Sequence, residues 1–309
     1  LFVVGAPLLE TQGEYLCREN GRTAGGRGVI EVYGNCVLLL PLDSGARRIP
    51  LCFVTEMGSA PYELTLCLEG GDSYTLSKMG YSAAPFADMV EQQLRTMHKT
   101  ELERVRTLDP SLSSAQAAHI AKRMPEGIAV SVGELAGIAP SFVRALETKI
   151  GESRAAQSYT VLQTICDPAQ IHLGIKRRVS KTDEAEREGD NGAGEDQMLW
   201  ILTPGKDGHT AAVEFAVAED EAAATFLYRY PADFASFVRA FNRAFEAIGF
   251  RREVIWIPDA ELTKREHGEY MMAVRRNEML RKIRGCFSGR LIHSSPERWK
   301  QALLQAMKL

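Results

Sequence analysis

Hydrophobic and polar positions change period along the chain, and those changes divide it. Over the first ninety residues the period is two. Val29–Tyr33 and Cys36–Leu40 flank Gly34-Asn35, which predicts a hairpin whose glycine supplies the positive φ of a primed turn. Tyr62, Leu64, Leu66 and Leu68 alternate with polar or small residues and predict four large side chains on one sheet face. Gly70-Gly71-Asp72 turns the chain into Ser73–Ser77, where Tyr74 and Leu76 continue the alternation. With strands near Phe2–Val4, Glu14–Cys17 and Arg48–Val54, six or seven short antiparallel strands result. After Ser82 the period becomes helical. Pro85 suits a first turn, and Phe86, Val90, Leu94 and Met97 form a stripe able to close over a sheet.

From Asp109 to Ser158 the pattern is helical and punctuated. Ser111–Met124 has a serine cluster at its start and stops at Pro125-Glu126-Gly127; Ser141–Ile150 runs between Pro140 and Gly151. Strands return with Tyr159, Val161 and Ile165, then Ile171, Leu173 and Ile175, and then Met198–Leu202, Ala211–Val217 and Thr225–Tyr230. Residues 182–196 hold no large apolar side chain and predict a mobile loop. The clearest helix carries Phe234, Phe237, Val238, Phe241, Phe245 and Ile248 on one face, starting at Pro231 and Asp233 and ending at Gly249. Such a stripe packs on a sheet or lines a ligand groove, and the first is the commoner use. Glu253–Ile257 then reads as a strand. Helices follow over Glu269–Gly285 and from Ser295-Pro296-Glu297, with Trp299, Leu303 and Met307 on one side.

These elements predict an α+β fold of two antiparallel sheet units, each closed by a C-terminal amphipathic helix, with a helical connector and a helical C-terminus. The boundaries fall at 1–108, 109–157, 158–257 and 258–309. Both halves share one syntax, in which a hairpin (Tyr62–Ser77, Thr210–Tyr230) leads through a proline to a phenylalanine and a helix. Placing Phe86 on Phe234 also places Met89 on Phe237 and Val90 on Val238, the pattern of a duplication. The segment RRIPLCFVTEM…YELTLCLEGGDSYTLSKMG…PFADMVEQQL resembles the pleckstrin-homology superfold, bacterial PH-like domains in particular. The resemblance covers residues 1–107 well and 155–250 less well, since the second half shows five strands. It implies a module for recognising lipids, peptides or proteins. Lipid-binding relatives carry a basic β1–β2 loop; Arg18, Arg22 and Arg27 lie in such a loop, among glycines and Glu19 and without dense lysines.

The 309 residues carry 37 Lys plus Arg against 40 Asp plus Glu, with 45% hydrophobic and 25% charged positions. This globular average excludes wholesale disorder, and the net charge of −3 excludes a uniformly basic nucleic-acid protein. Charge is uneven, however. From Arg251 onward there are 13 cations against 7 anions, leaving 24 against 33 before it. Arg275, Arg276, Arg281, Lys282 and Arg284 are therefore a candidate anion-binding row, for nucleic acid, an anionic membrane or an acidic partner. The competing reading has them neutralise the acidic remainder of the chain.

No apolar run reaches the ~18 residues of a membrane span. Six cysteines without a tight pair predict free thiols in a reducing cytoplasm. Six scattered histidines predict no metal site, and no cofactor is expected. The sequence opens on Leu1 and leaves what precedes it open. Neither G-x-S-x-G nor a Gly-rich phosphate loop occurs, and the paired Glu184 and Glu186 lie where nothing would raise a carboxyl pKa. The expected function is non-catalytic protein recognition or scaffolding, with a protein partner. Binding of nucleic acid or an anionic surface through the basic C-terminal helices is the alternative. An enzyme with a site between the domains is the third reading.

Overall fold

The computed structural model describes residues 5–19, 21–177, 197–216, 224–293 and 295–307. The expected strand at Phe2–Val4 and the expected loop at 182–196 lie outside them. Contacts divide the chain into two compact units, Leu1–Glu101 and Leu102–Leu309.

The first unit holds β1 (Leu9–Glu19), β2 (Arg22–Val32), β3 (Cys36–Pro41), β4 (Arg47–Pro50), β5 (Val54–Ala60), β6 (Glu63–Leu68) and β7 (Ser73–Ser77). All pair antiparallel in the order β4-β3-β2-β1-β7-β6-β5. Two meanders are thus joined through β1, whose Glu14–Arg18 pair with β2 on one side and β7 on the other. Tyr15, Cys17, Ile30, Val32, Leu64, Leu66, Tyr74 and Leu76 are buried, as period-two patterning of a one-sided core requires. Gly28 lies so close to the Leu40 carbonyl that a Cβ has no room there. The hairpin at Gly34-Asn35 forms, with Tyr33 N donating to Cys36 O at 2.8 Å. Neither turn residue has a positive φ, so the turn is not a primed one. The expected strand Arg48–Val54 is broken after Pro50 by a 3₁₀ turn, Leu51–Phe53, that buries Leu51 and Phe53. Helix α1 (Ala83–Leu108) follows; of the expected stripe it buries Phe86 and Val90, while Leu94 and Met97 are half-buried.

The second unit takes the end of α1 from Leu102 and continues with α2 (Ser114–Arg123), β8 (Val130–Ser131), α3 (Val132–Ile138), α4 (Pro140–Gly151) and α5 (Ala156–Ile165). Ser113 and Gln116 close a capping box on α2, the role foreseen for the serine cluster. Next come β9 (His172–Arg177), β10 (Gln197–Pro204), β11 (Thr210–Ala216), β12 (Ala224–Arg229) and α6 (Phe234–Ala247). Then follow α7 (Glu253–Trp256), α8 (Asp259–Leu262), α9 (Gly268–Arg276), α10 (Glu278–Cys286), β13 (Phe287–Ile292) and α11 (Pro296–Ala306). The sheet order is β13-β12-β11-β10-β9-β8. Asp233 caps α6 by accepting from Ser236 N at 2.8 Å, a bond that holds its carboxyl below the usual range. The aromatic stripe of α6 closes the sheet: Tyr228 meets Phe237 and Phe241, and Phe215 stacks on Phe245. Gly174 leaves the space that the buried Trp200 ring fills.

Three expectations need correction here. Tyr159–Ile165 is helix, not strand, because its buried positions are Ser158, Tyr159, Leu162 and Ile165, a 3.6-residue period. Glu253–Ile257 is the short helix α7, and the sheet edge is completed instead by β13, after α10. Finally, the helix expected over Glu269–Gly285 is two. Asn277 stands extended between α9 and α10 and its side chain accepts from Leu280 N at 2.9 Å, ending one helix by capping the next. The two sheets also differ in strand order. The duplication expected from the hairpin-to-helix syntax is carried by local pattern and not by topology.

No described helix is long and apolar enough to cross a membrane. No disulfide joins the six cysteines, of which Cys17 and Cys36 are buried.

Candidate functional site

The five cations proposed from sequence do not form one row. Arg284 turns inward: its side chain is 12% exposed, and its guanidinium donates to the carbonyls of Val254, Ile255 and Ile257 and to Asp259 at 2.6 Å. Those carbonyls belong to α7 and its exit, so Arg284 ties α7 and α8 to α10. Arg281 donates to the carbonyls of Val274 and Arg275 at the end of α9. Lys282 pairs with Glu278 one turn away at 3.2 Å. Arg275 and Arg276 stand exposed in the last turn of α9.

In the first unit, Arg18, Arg22 and Arg27 lie not in a loop but on β1 and β2, which stay paired as far as Glu19 and Arg22. Arg27 and Lys78 both reach Glu14, at 3.0 and 2.8 Å, and hold its carboxyl below the usual range. At the other end of β1, Glu19 accepts from Arg47 at 3.1 Å and from the Tyr74 hydroxyl at 2.5 Å. Burial and then the Glu19 charge push the Tyr74 hydroxyl far above the phenol range. Arg47 also lies 5.5 Å from the Tyr15 ring centre and donates to Ser44 Oγ at 3.1 Å. An anion entering here would compete with Glu19 for Arg47.

A second polar cluster is buried in the six-stranded sheet. Glu214, only 1% exposed, accepts from the Thr225 hydroxyl beside it and from His293 Nε2 at 3.0 Å. Trp299 Nε1 donates to Thr225 Oγ1 at 2.7 Å. A hydrolytic relay would need histidine to bridge nucleophile and carboxylate with its two different nitrogens. Here Nε2 faces both, 3.0 Å from Thr225 Oγ1 as well, and Thr225 is fully buried. This cluster anchors α11 to β11 and β12. Among the described residues no group of three or more His, Cys, Asp and Glu side chains is placed to hold a metal ion.

The surface that remains is one edge of the first sheet. Strand β5 ends that sheet and has no strand beyond it among the described residues. Ala60 pairs with Glu63, so the β5–β6 loop is only Pro61-Tyr62. Proline fixes the first central residue and Tyr62 takes φ +65°, the pattern of a type II turn whose second central residue is normally glycine or asparagine. Tyr62 is 69% exposed, so no packing offsets this conformation. Glu63 pairs with Ser77, which brings Lys78, also at positive φ, to the same end of the ladder. Tyr81, three residues on, is fully exposed. The alternation of Tyr62 with Leu64, Leu66 and Leu68 predicts all four on the inner sheet face; only the leucines are there. The missed signal was Ala60-Pro61-Tyr62-Glu63, a proline-led turn between two alternating runs.

No protein-family model matches the chain, and no curated protein matches it.

Proposed function

We propose that this chain is a non-catalytic, cytoplasmic protein-recognition or scaffolding protein whose first unit is a PH-like module. A four-strand meander joined through β1 and β7 to a three-strand meander, then a helix, supports that reading. Its fold alone leaves function open. The observation that carries the reading is Tyr62, a bulky aromatic kept exposed in a left-handed conformation at the tip of an open sheet edge. That conformation costs about 1–2 kcal/mol for a residue with a Cβ. Strain without a packing return is retained where a surface is used. Lipid-headgroup binding is disfavoured because Glu19 already neutralises Arg47.

The test is an unbiased peptide-display selection on the full chain, repeated on Tyr62→Gly. Enrichment that is lost with the tyrosine supports recognition at this edge. Failure to enrich any peptide, together with tight and salt-sensitive binding to DNA, RNA or anionic vesicles, would favour the basic segment instead. Arg275 and Arg276 are the residues to replace in that case.

A further inference from the structure

We propose that Trp256, Arg290 and Ile292 of the second unit form a docking patch for a segment of a protein partner that carries carboxylates beside large apolar side chains, an inference that rests on the recognition reading above. Arg290 supplies the charge. It lies over the Trp256 ring, 4.9 Å from its centre, and no carboxylate or carbonyl among the described residues accepts from it. The carboxylates of the helices around it are engaged elsewhere. Glu253 accepts from the Tyr270 hydroxyl at 2.5 Å, Asp259 from Arg284 at 2.6 Å, Glu261 from Lys264 at 2.5 Å, and Glu269 faces Arg251 at 3.5 Å. A guanidinium laid on an indole keeps its N–H fork for a carboxylate, which it meets with two parallel hydrogen bonds.

Apolar surface adjoins that charge. Trp256 is 37% and Ile292 45% exposed, two of the three large apolar side chains that the described residues of the second unit leave exposed. Arg290 pairs with Phe226 and Ile292 with Ala224, so the two share one face of β13, two residues apart. Helix α7 lies against this strand and brings Trp256 to it. The patch is set before a partner arrives. Arg284 donates to the carbonyls of Val254, Ile255 and Ile257 and so holds α7 from beneath, while Arg252, one turn before Trp256, lies 5.0 Å from the Phe215 ring centre. A preformed platform loses little entropy on binding. Tryptophan and arginine side by side are the composition of an interface centre. The patch belongs to the basic end of the chain, with 13 cations against 7 anions from Arg251 onward, and so selects an acidic partner over a basic one. A single-stranded nucleic acid would ask for several stacking rings along a track of cations, and this patch offers one ring.

The probe is an end-capped heptapeptide alternating glutamate and leucine, titrated into the full-length chain. Each of two controls keeps half of its chemistry: glutamine replaces glutamate in one, and alanine replaces leucine in the other. Of the three tryptophans Trp200 and Trp299 are buried, so acrylamide quenching of the tryptophan emission reports on Trp256. The glutamate–leucine peptide is expected to bind at least tenfold more tightly than either control and to lower the quenching constant at least twofold. Arg290→Gln and Ile292→Ser change exposed side chains. Each should weaken binding at least tenfold with unchanged thermal unfolding. Arg290→Glu should transfer the preference to an alternating lysine–leucine peptide. Equal binding of the three peptides, unchanged quenching, or tighter binding of an oligothymidylate than of the peptide overturns the proposal. If the display selection above still yields Tyr62-dependent peptides, the recognition reading survives that failure; if it yields none, both fall.

Discussion

The indole of Trp299 donates to the Thr225 hydroxyl at 2.7 Å, and through it the last helix is fastened to the interior of the six-stranded sheet. Thr225 in turn donates its hydroxyl hydrogen bond to Glu214, a carboxylate removed from water that also accepts from His293. Every polar atom in this chain of contacts depends on the others, since an orphaned partner would stay buried. Trp299→Phe keeps the ring and deletes the donor. We expect a loss of about 1–2 kcal/mol in urea unfolding, the usual cost of leaving a buried acceptor unmet. A variant as stable as the parent would show that α11 is held by Leu303 and Met307 alone.

Tyr62→Gly should act in the opposite direction. Removing the Cβ relieves the left-handed φ, and the loss of an exposed ring removes no core contact. The melting temperature should rise, corresponding to about 1 kcal/mol of added stability, while peptide binding falls. Lower stability would mean that Tyr62 holds the hairpin together through its ring.

Arg284 and the pair Arg275–Arg276 should separate cleanly. Arg284→Met strips donors from three carbonyls and Asp259, with an expected cost of about 2–3 kcal/mol. Arg275→Gln with Arg276→Gln touches two exposed side chains and should change stability by less than about 0.5 kcal/mol. Thermal denaturation of both variants checks this, and similar losses in the two would refute it.

Tyr230 gives the pH prediction. Its ring stacks on Phe237, while its hydroxyl is buried with no hydrogen-bond partner among the described residues. Burial first, then the charges of Asp207 and Asp233, push its pKa to about 12, from 10.0. The unfolded phenol releases its proton earlier, so the native state binds more protons above pH 10. This contribution to stability is complete below pH 10 and is lost as the pH rises toward 12. Tyr230→Phe should therefore be neutral or slightly stabilising at pH 7 and should flatten the fall in stability over that alkaline window. A variant with an unchanged alkaline slope would disprove the assignment.

Much of the fold was legible along the chain because its signals are local. The period-two runs at Leu64–Leu68 and Leu173–Ile175, the caps at Ser113, Asp233 and Ser295, and the six apolar positions from Phe234 to Ile248 each need only a residue's near neighbours. They determined an α+β protein with two antiparallel sheets. Where two periods fit one stretch, tertiary burial decided. Tyr159–Ile165 admits either reading until Tyr159, Leu162 and Ile165 are seen buried together. Phe287–Ile292 became a strand because β12 offered it a free edge after five intervening α-helices.

Charge was the least legible property, since a side chain's partners come from remote parts of the chain. Sequence placed Arg284 with Arg275 and Arg276 by proximity, and the fold gave it to carbonyls nearly thirty residues away. Glu19 meets Arg47 and Tyr74, and Glu214 meets His293, across separations that no local pattern encodes. The exposure of Tyr62 is hidden in the sequence by its alternation with Leu64, Leu66 and Leu68, and its left-handed backbone is imposed by the pairing of Ala60 with Glu63. Periodicity fixes which face a residue turns to the core, because that depends on backbone geometry alone. What a charged or strained residue does there depends on which distant groups the fold brings to it.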